Sequence, residues 1–126
     1  MLKQTERARE TKHTITTYFE RLFAAGWEAL IADDVVFTSP SGSTRGKTAY
    51  VDGTNGFKQV AKSVAVLQLI VENENACAVT RYALQSPKGH AWLCETVEIL
   101  AVRDGKIQSS RICFDTAGFG KFMAQG

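Results

Sequence analysis

The chain is 126 residues long, 44% hydrophobic and 22% charged, with a formal net charge of +2. That length fits one domain spanning residues 1–126 with a core of its own, and scattered Lys and Arg without a basic stripe speak against nucleic acid as a partner. No apolar run approaches the roughly 18–20 residues of a membrane span, and the opening MLKQTERARE lacks a signal-peptide core, so a cytoplasmic protein is expected.

In chain order, Thr5 to Ala25 reads as the one long helix. Ile15, Tyr18, Phe19, Leu22 and Phe23 recur at the spacing that puts them on one face, and Gly26 ends it as a left-handed residue. A short second helix, Trp27 to Ala32, leads through Asp33-Asp34 into a strand at Val35–Ser39. Ser39-Pro40-Ser41-Gly42-Ser43 is loop by composition. Gly46-Lys47 opens a third helix near Thr48–Val60, although Gly53 and Gly56 each weaken it by up to about 1 kcal/mol. From Ser63 the pattern changes to strands: Val64–Glu72, Ala76–Gln85, Ala91–Val102 and Lys106–Asp115, separated by turn residues. Phe119–Gln125 reads as a short tail helix or a frayed end.

Helices first and an antiparallel meander afterwards make the fold class α+β. Val97, Ile99 and Ala101 alternate with Thr96, Leu100 and Val102, so both faces of the later strands carry apolar residues. A sheet apolar on both sides needs two covers, and a homodimer through the outer sheet face is expected. Cys77, Cys94 and Cys113 are odd in number and lack CxxC spacing, which suits reduced thiols used for packing. With only His13 and His90, far apart in sequence, neither a metal site nor a cofactor is expected.

The last two strands meet at Asp104-Gly105, a strong hairpin signal with two readings. A two-residue loop sets Glu98 beside Arg111, an ordinary cross-strand ion pair. A three-residue loop, Arg103-Asp104-Gly105 with a glycine bulge, slips the register by one and puts Glu98 among Ile112 and Phe114.

The order of helix, short helix, DDVVFTSPSGSTRGK, third helix and a meander ending in DGKIQSSRICFD resembles the NTF2-like superfamily, closest to its SnoaL-like branch. The resemblance covers essentially the whole chain on loose motifs. It implies a cone-shaped fold with three N-terminal helices packed on a curved, mostly antiparallel sheet and a pocket between them. It also favours the three-residue loop, because the positions of Glu98 and Ile112 both face the pocket in that family. Relatives include ketosteroid isomerases, limonene-epoxide hydrolases, polyketide cyclases and non-catalytic binding domains, so fold does not settle function.

What the resemblance implies for single residues is uneven. The isomerases' aspartate base falls on Ser39, before Pro40, and serine cannot replace it unaided. Their oxyanion pair of a tyrosine and a protonated aspartate falls on Tyr18 and Glu98. The epoxide hydrolases' arginine falls on Arg81, but their two acids fall on Ala83 and Ile112, and Ile112 also takes the cyclases' acid position. None of the three chemistries is intact.

Each candidate has a plainer reading. Tyr18 suits a core stripe, and Asp115 suits a helix cap. Arg81 in a strand needs a partner, which Glu98 on the neighbouring strand would supply. Tyr50, Phe57 and Trp92 are expected as aromatic lining, with Ser39, Cys94, Ile112 and Phe114 beside them. Two functions are therefore expected from this sequence: a dimeric domain binding a small, largely apolar ligand, or an enzyme using Glu98, Tyr18 and Arg81 for acid–base chemistry on a carbonyl.

Overall fold

The structure is a computed structural model and describes residues 3–126. Helix α1 runs Gln4–Arg21, followed by a 3-10 turn at Trp27–Leu30. Strands β1 (Ile31–Ser39) and β2 (Gly42–Arg45) form a hairpin, and helix α2 covers Lys47–Phe57. Strands β3 (Ala61–Glu72), β4 (Asn75–Gln85), β5 (Ala91–Arg103) and β6 (Lys106–Phe114) follow, and helix α3 (Thr116–Ala124) closes the chain. The strands make one mixed sheet in the order β2-β1-β6-β5-β4-β3, antiparallel except where β1 runs parallel to β6. Among the described residues no helix is long and apolar enough to cross a membrane.

Two features of the α+β expectation are corrected. The helices are not all N-terminal: the short second one is a single 3-10 turn, and the third α-helix lies at the C-terminus. The tail forms a helix because Asp115 caps it, its Oδ1 accepting the Gly118 N–H at 2.9 Å, which satisfies one of the orphan donors of a first turn. The stretch read as loop after Pro40 pairs instead, with Ser39 opposite Gly42 and Val36 opposite Arg45. Its small polar residues hid a strand that buries nothing.

Burial alternates strictly along the two central strands. Ala76, Ala78, Thr80, Tyr82 and Leu84 of β4 face inward, as do Cys94, Thr96, Glu98, Leu100 and Val102 of β5. Helix α1 lays Ile15, Tyr18 and Phe19 against this face, and Leu22 and Trp27 extend the same core. Each such fully buried apolar side chain contributes about 1.5–3 kcal/mol. The N-terminal half of α1 also ties down two turns: Thr11 Oγ1 donates to the Asn73 carbonyl at 2.7 Å, and the Gly105 N–H donates to Glu10 Oε1 at 2.6 Å.

The β5–β6 hairpin combines both sequence readings. Arg103 pairs with Lys106, so the loop is the two-residue Asp104-Gly105, with φ of 54° and 71° as a type I′ turn requires. The expected three-residue loop is thus not formed. The pairing then shifts by one between Ala101–Ser109 and Val102–Ile107, leaving Gln108 as a bulge. Beyond the bulge Glu98 lies opposite Ile112, and Thr96 opposite Phe114. The placing of Ile112 and Phe114 on the face of Glu98 therefore comes from a bulge three residues past the turn, not from the turn itself.

Candidate functional site

Between α1, α2, α3 and the inner face of the sheet lies a cavity of about 520 Å³. Its walls are largely apolar: Leu22 and Phe23 from α1's end, Phe37 from β1, Phe57 from α2, Ile112 and Phe114 from β6, and Phe119 from α3. The Phe114 and Phe119 rings meet edge to face at 5.5 Å, and Phe57 packs on Tyr82 at 5.2 Å.

The polar part of the cavity is built around Glu98. Its Oε2 accepts from Tyr82 OH at 2.9 Å and lies 2.9 Å from Thr80 Oγ1 and 3.3 Å from Thr96 Oγ1; those two hydroxyls also bond each other, so one threonine donates to the other and the second donates to Glu98. Glu98 is 3% exposed, and loss of water raises its pKa above the ordinary carboxylate range. The three hydroxyls oppose that shift without cancelling it. All three hydroxyls gather at the same oxygen, which leaves Oε1 for whatever occupies the cavity that Glu98 lines.

Tyr18 and Tyr50 reach the same cavity from the two helices and share a 2.9 Å hydrogen bond between their hydroxyls. Burial raises the Tyr18 pKa well above its usual value, with Tyr50, Tyr82 and Glu98 adding to the effect. Burial pushes Tyr50 up to about 12, although the hydrogen bond with Tyr18 acts the other way. Ser110 Oγ is buried close by; it lacks a well-formed hydrogen bond, yet its nearness also pulls the Tyr50 pKa back. At neutral pH the tyrosines are therefore neutral hydroxyls, able to give or take a hydrogen bond.

The remaining expected residues divide. Ser39, Tyr50, Phe57, Cys94, Ile112 and Phe114 line the cavity. Ser39 stands at its exposed rim, where its hydroxyl pairs with Ser41 Oγ at 2.9 Å; this bond gives it no basic partner. Burial raises the Cys94 pKa, with Asp115 adding to it, so Cys94 is a neutral thiol.

Two residues are corrected. Arg81 pairs with Glu95 across β4 and β5, faces outward, and forms an exposed 3.7 Å ion pair with it, so it does not meet Glu98. Its odd position on β4 decides this, because the inward positions there are Thr80 and Tyr82. Trp92 faces inward but lies beneath α3, its ring 6.0 Å from that of Phe122, and is absent from the lining. The plainer reading of Glu98 also fails: Arg111 lies opposite Ile99 on the outer face.

Sequence reasoning missed Thr80, Tyr82 and Thr96 as Glu98's partners. Their even spacing along β4 and β5 was the available signal, since it puts them on the face of Glu98. It also missed Lys58, which lines the cavity at the end of α2. No group of three or more metal-ligating side chains converges among the described residues.

The SnoaL-like domain profile matches residues 11–110. No curated protein matches the chain. Among solved structures it is similar to a SnoaL-like protein of Jannaschia sp. CCS1, provisionally described as a polyketide cyclase. The two share 14% identity over 96% of this chain and 96% of that one, with a TM-score of 0.84. It is similar to TerC, co-crystallised with polyporic acid, at 17% identity over 89% and 96% of the two chains and a TM-score of 0.79. A Kribbella flavida DSM 17836 protein, provisionally described as a ketosteroid isomerase, shares 18% identity over 86% and 79%, with a TM-score of 0.74. At these identities the likeness concerns the fold alone.

Proposed function

The chain belongs to the SnoaL-like family of the NTF2-like superfamily, and on that premise we propose that its pocket binds a compact, largely apolar molecule bearing one carbonyl or hydroxyl group. Glu98 carries the reading. A desolvated carboxyl with its neighbouring hydroxyls gathered on one oxygen, and the other oxygen left for the cavity, suits a polar contact inside an apolar envelope. The phenyl rings and Ile112 supply the envelope, and the Tyr18–Tyr50 pair supplies a second polar contact. The fold neighbour co-crystallised with polyporic acid supports a small-molecule role for such a cavity.

Calorimetry with a panel of apolar ketones and phenols tests this, using the parent and Ala49→Trp. Ala49 is an exposed lining residue, so the indole closes the cavity from its rim. Saturable one-to-one binding that the substitution abolishes is the expected result. Equal binding by both proteins, or none by the parent, contradicts the proposal.

One observation favours a second reading, a proton-transfer enzyme. The raised pKa of Glu98 brings its proton nearer the operating range of a general acid. Against it, Ser39 has no activating partner and the inward side of β6 presents Ile112. Binding without turnover is therefore the reading we hold.

The partner we propose is a second copy of the chain on the outer sheet face. Ile70, Cys77 and Ile99 form one cross-strand row, and Val79, Val97 and Cys113 form the next. Ile70 and Ile99 are 55% and 47% exposed. The adjoining row carries both Arg81 and Glu95, so two copies related by a two-fold axis present complementary charges to each other. The free thiols support the cytoplasmic compartment we assign.

A further inference from the structure

Charge in the cavity is unevenly distributed. Its lining holds one carboxyl, Glu98, and one cationic side chain, Lys58. Glu98 sits on the sheet and is biased toward its neutral form by desolvation. Lys58 sits on the helical side, closing α2 with its backbone N–H bonded to the Thr54 carbonyl at 2.9 Å. Its ammonium lies 5.6 Å from the ring centroid of Phe23 and 5.6 Å from that of Trp27. The two ion pairs among the described residues, Arg7–Glu74 and Arg81–Glu95, leave it out. Lys62, four residues on, is different: its ammonium donates to the Gln59 carbonyl at 2.8 Å.

An ammonium has three donors, and two aromatic rings engage it only through their faces. The rings fix its place, so less side-chain freedom remains to be lost when an anion arrives. A cation held in this way, lining an apolar cavity and outside both ion pairs, is placed to donate a charge-assisted hydrogen bond to a bound carboxylate.

We infer that the ligand is an amphipathic acid, with its apolar body in the cavity, its carbonyl or hydroxyl toward Glu98 and its carboxylate on Lys58. This rests on the binding function proposed above and adds the chemical class of the ligand. Lys58 is then the residue that selects acids over neutral molecules of the same shape.

The test uses naphthoyl alkanoic acids of increasing chain length and their methyl esters, measured by calorimetry on the parent, Lys58→Met and Lys58→Arg. In the parent the best acid should bind about tenfold more tightly than its ester, the ratio one charge-assisted hydrogen bond supports. Lys58→Met keeps an unbranched aliphatic stem and should abolish that preference, the acid then binding no more tightly than its ester. Lys58→Arg should restore it. Added salt should weaken the acid and not the ester. Equal affinities for acid and ester in the parent, or a preference that survives in Lys58→Met, overturns the inference and leaves the pocket reading standing. Binding of neither the acids nor the esters overturns both.

Discussion

Replacing Glu98 with glutamine isolates the cost of ionising a carboxyl inside this cavity. In the unfolded chain a glutamate ionises near pH 4.3, to within about one unit. In the folded chain desolvation holds the Glu98 pKa higher, while the hydroxyls of Thr80, Tyr82 and Thr96 draw it partly back. As pH rises through the unfolded value, the unfolded chain loses its proton first. It then binds fewer protons than the folded chain, and stability falls until pH passes the folded pKa. The loss has a slope of at most about 1.4 kcal/mol per pH unit. Glutamine has nothing to ionise, and its carbonyl can still accept the hydroxyl donors. The difference in stability should be constant below about pH 4 and then move in favour of the variant as pH rises. Urea unfolding followed by tryptophan fluorescence measures it, since Trp27 is 1% exposed in the folded chain. Parallel pH profiles for the two proteins from acid to neutral pH would refute a desolvated Glu98.

Other substitutions probe the supports of the site. Tyr82→Phe removes one donor from Glu98 Oε2, so the Glu98 pKa should rise further, as read by carbon NMR of labelled glutamate; an unchanged titration would separate Tyr82 from the carboxyl. Gly118→Ala places a methyl group 2.5 Å from Asp115 Oδ2 and 2.9 Å from Trp92 Cζ2. The cap or the ring must move, and a loss of about 1–2 kcal/mol is expected in denaturant titration; full retention of stability would mean α3 is loosely held. Val97→Glu puts a charge in the apolar outer face and should turn a dimer into a monomer by light scattering; a parent already monomeric at micromolar concentration would remove the dimer proposal.

The meander was legible because its alternation is regular and its turns place Asn73, Asp104 and Gly105 at positive φ. The helix α1 stripe was legible for the same kind of reason. What escaped was set by contacts distant in sequence. The Gln108 bulge has no residue signature of its own, yet it decides which way Ile112 and Phe114 face relative to Glu98. Arg81 was misplaced because its inward position was inferred through a resemblance, while the parity of Thr80 and Tyr82 beside it pointed the other way. Helix α3 was half legible: the tail read as a helix or a frayed end and Asp115 as a cap, while the contact of Phe122 with Trp92 that holds it is not visible in periodicity. Lys58 was not singled out because Phe23 and Trp27 meet it only in the folded chain.

The central claim is that the bound molecule's polar group meets Glu98. Carbon NMR of the Glu98 carboxyl, in protein labelled at glutamate and titrated with the tightest ketone or phenol from the panel, tests it directly; Glu98→Gln assigns the signal. The account requires that signal to shift and to saturate at the concentration where calorimetric binding saturates. Saturable binding inside the cavity with the Glu98 signal unmoved would contradict it.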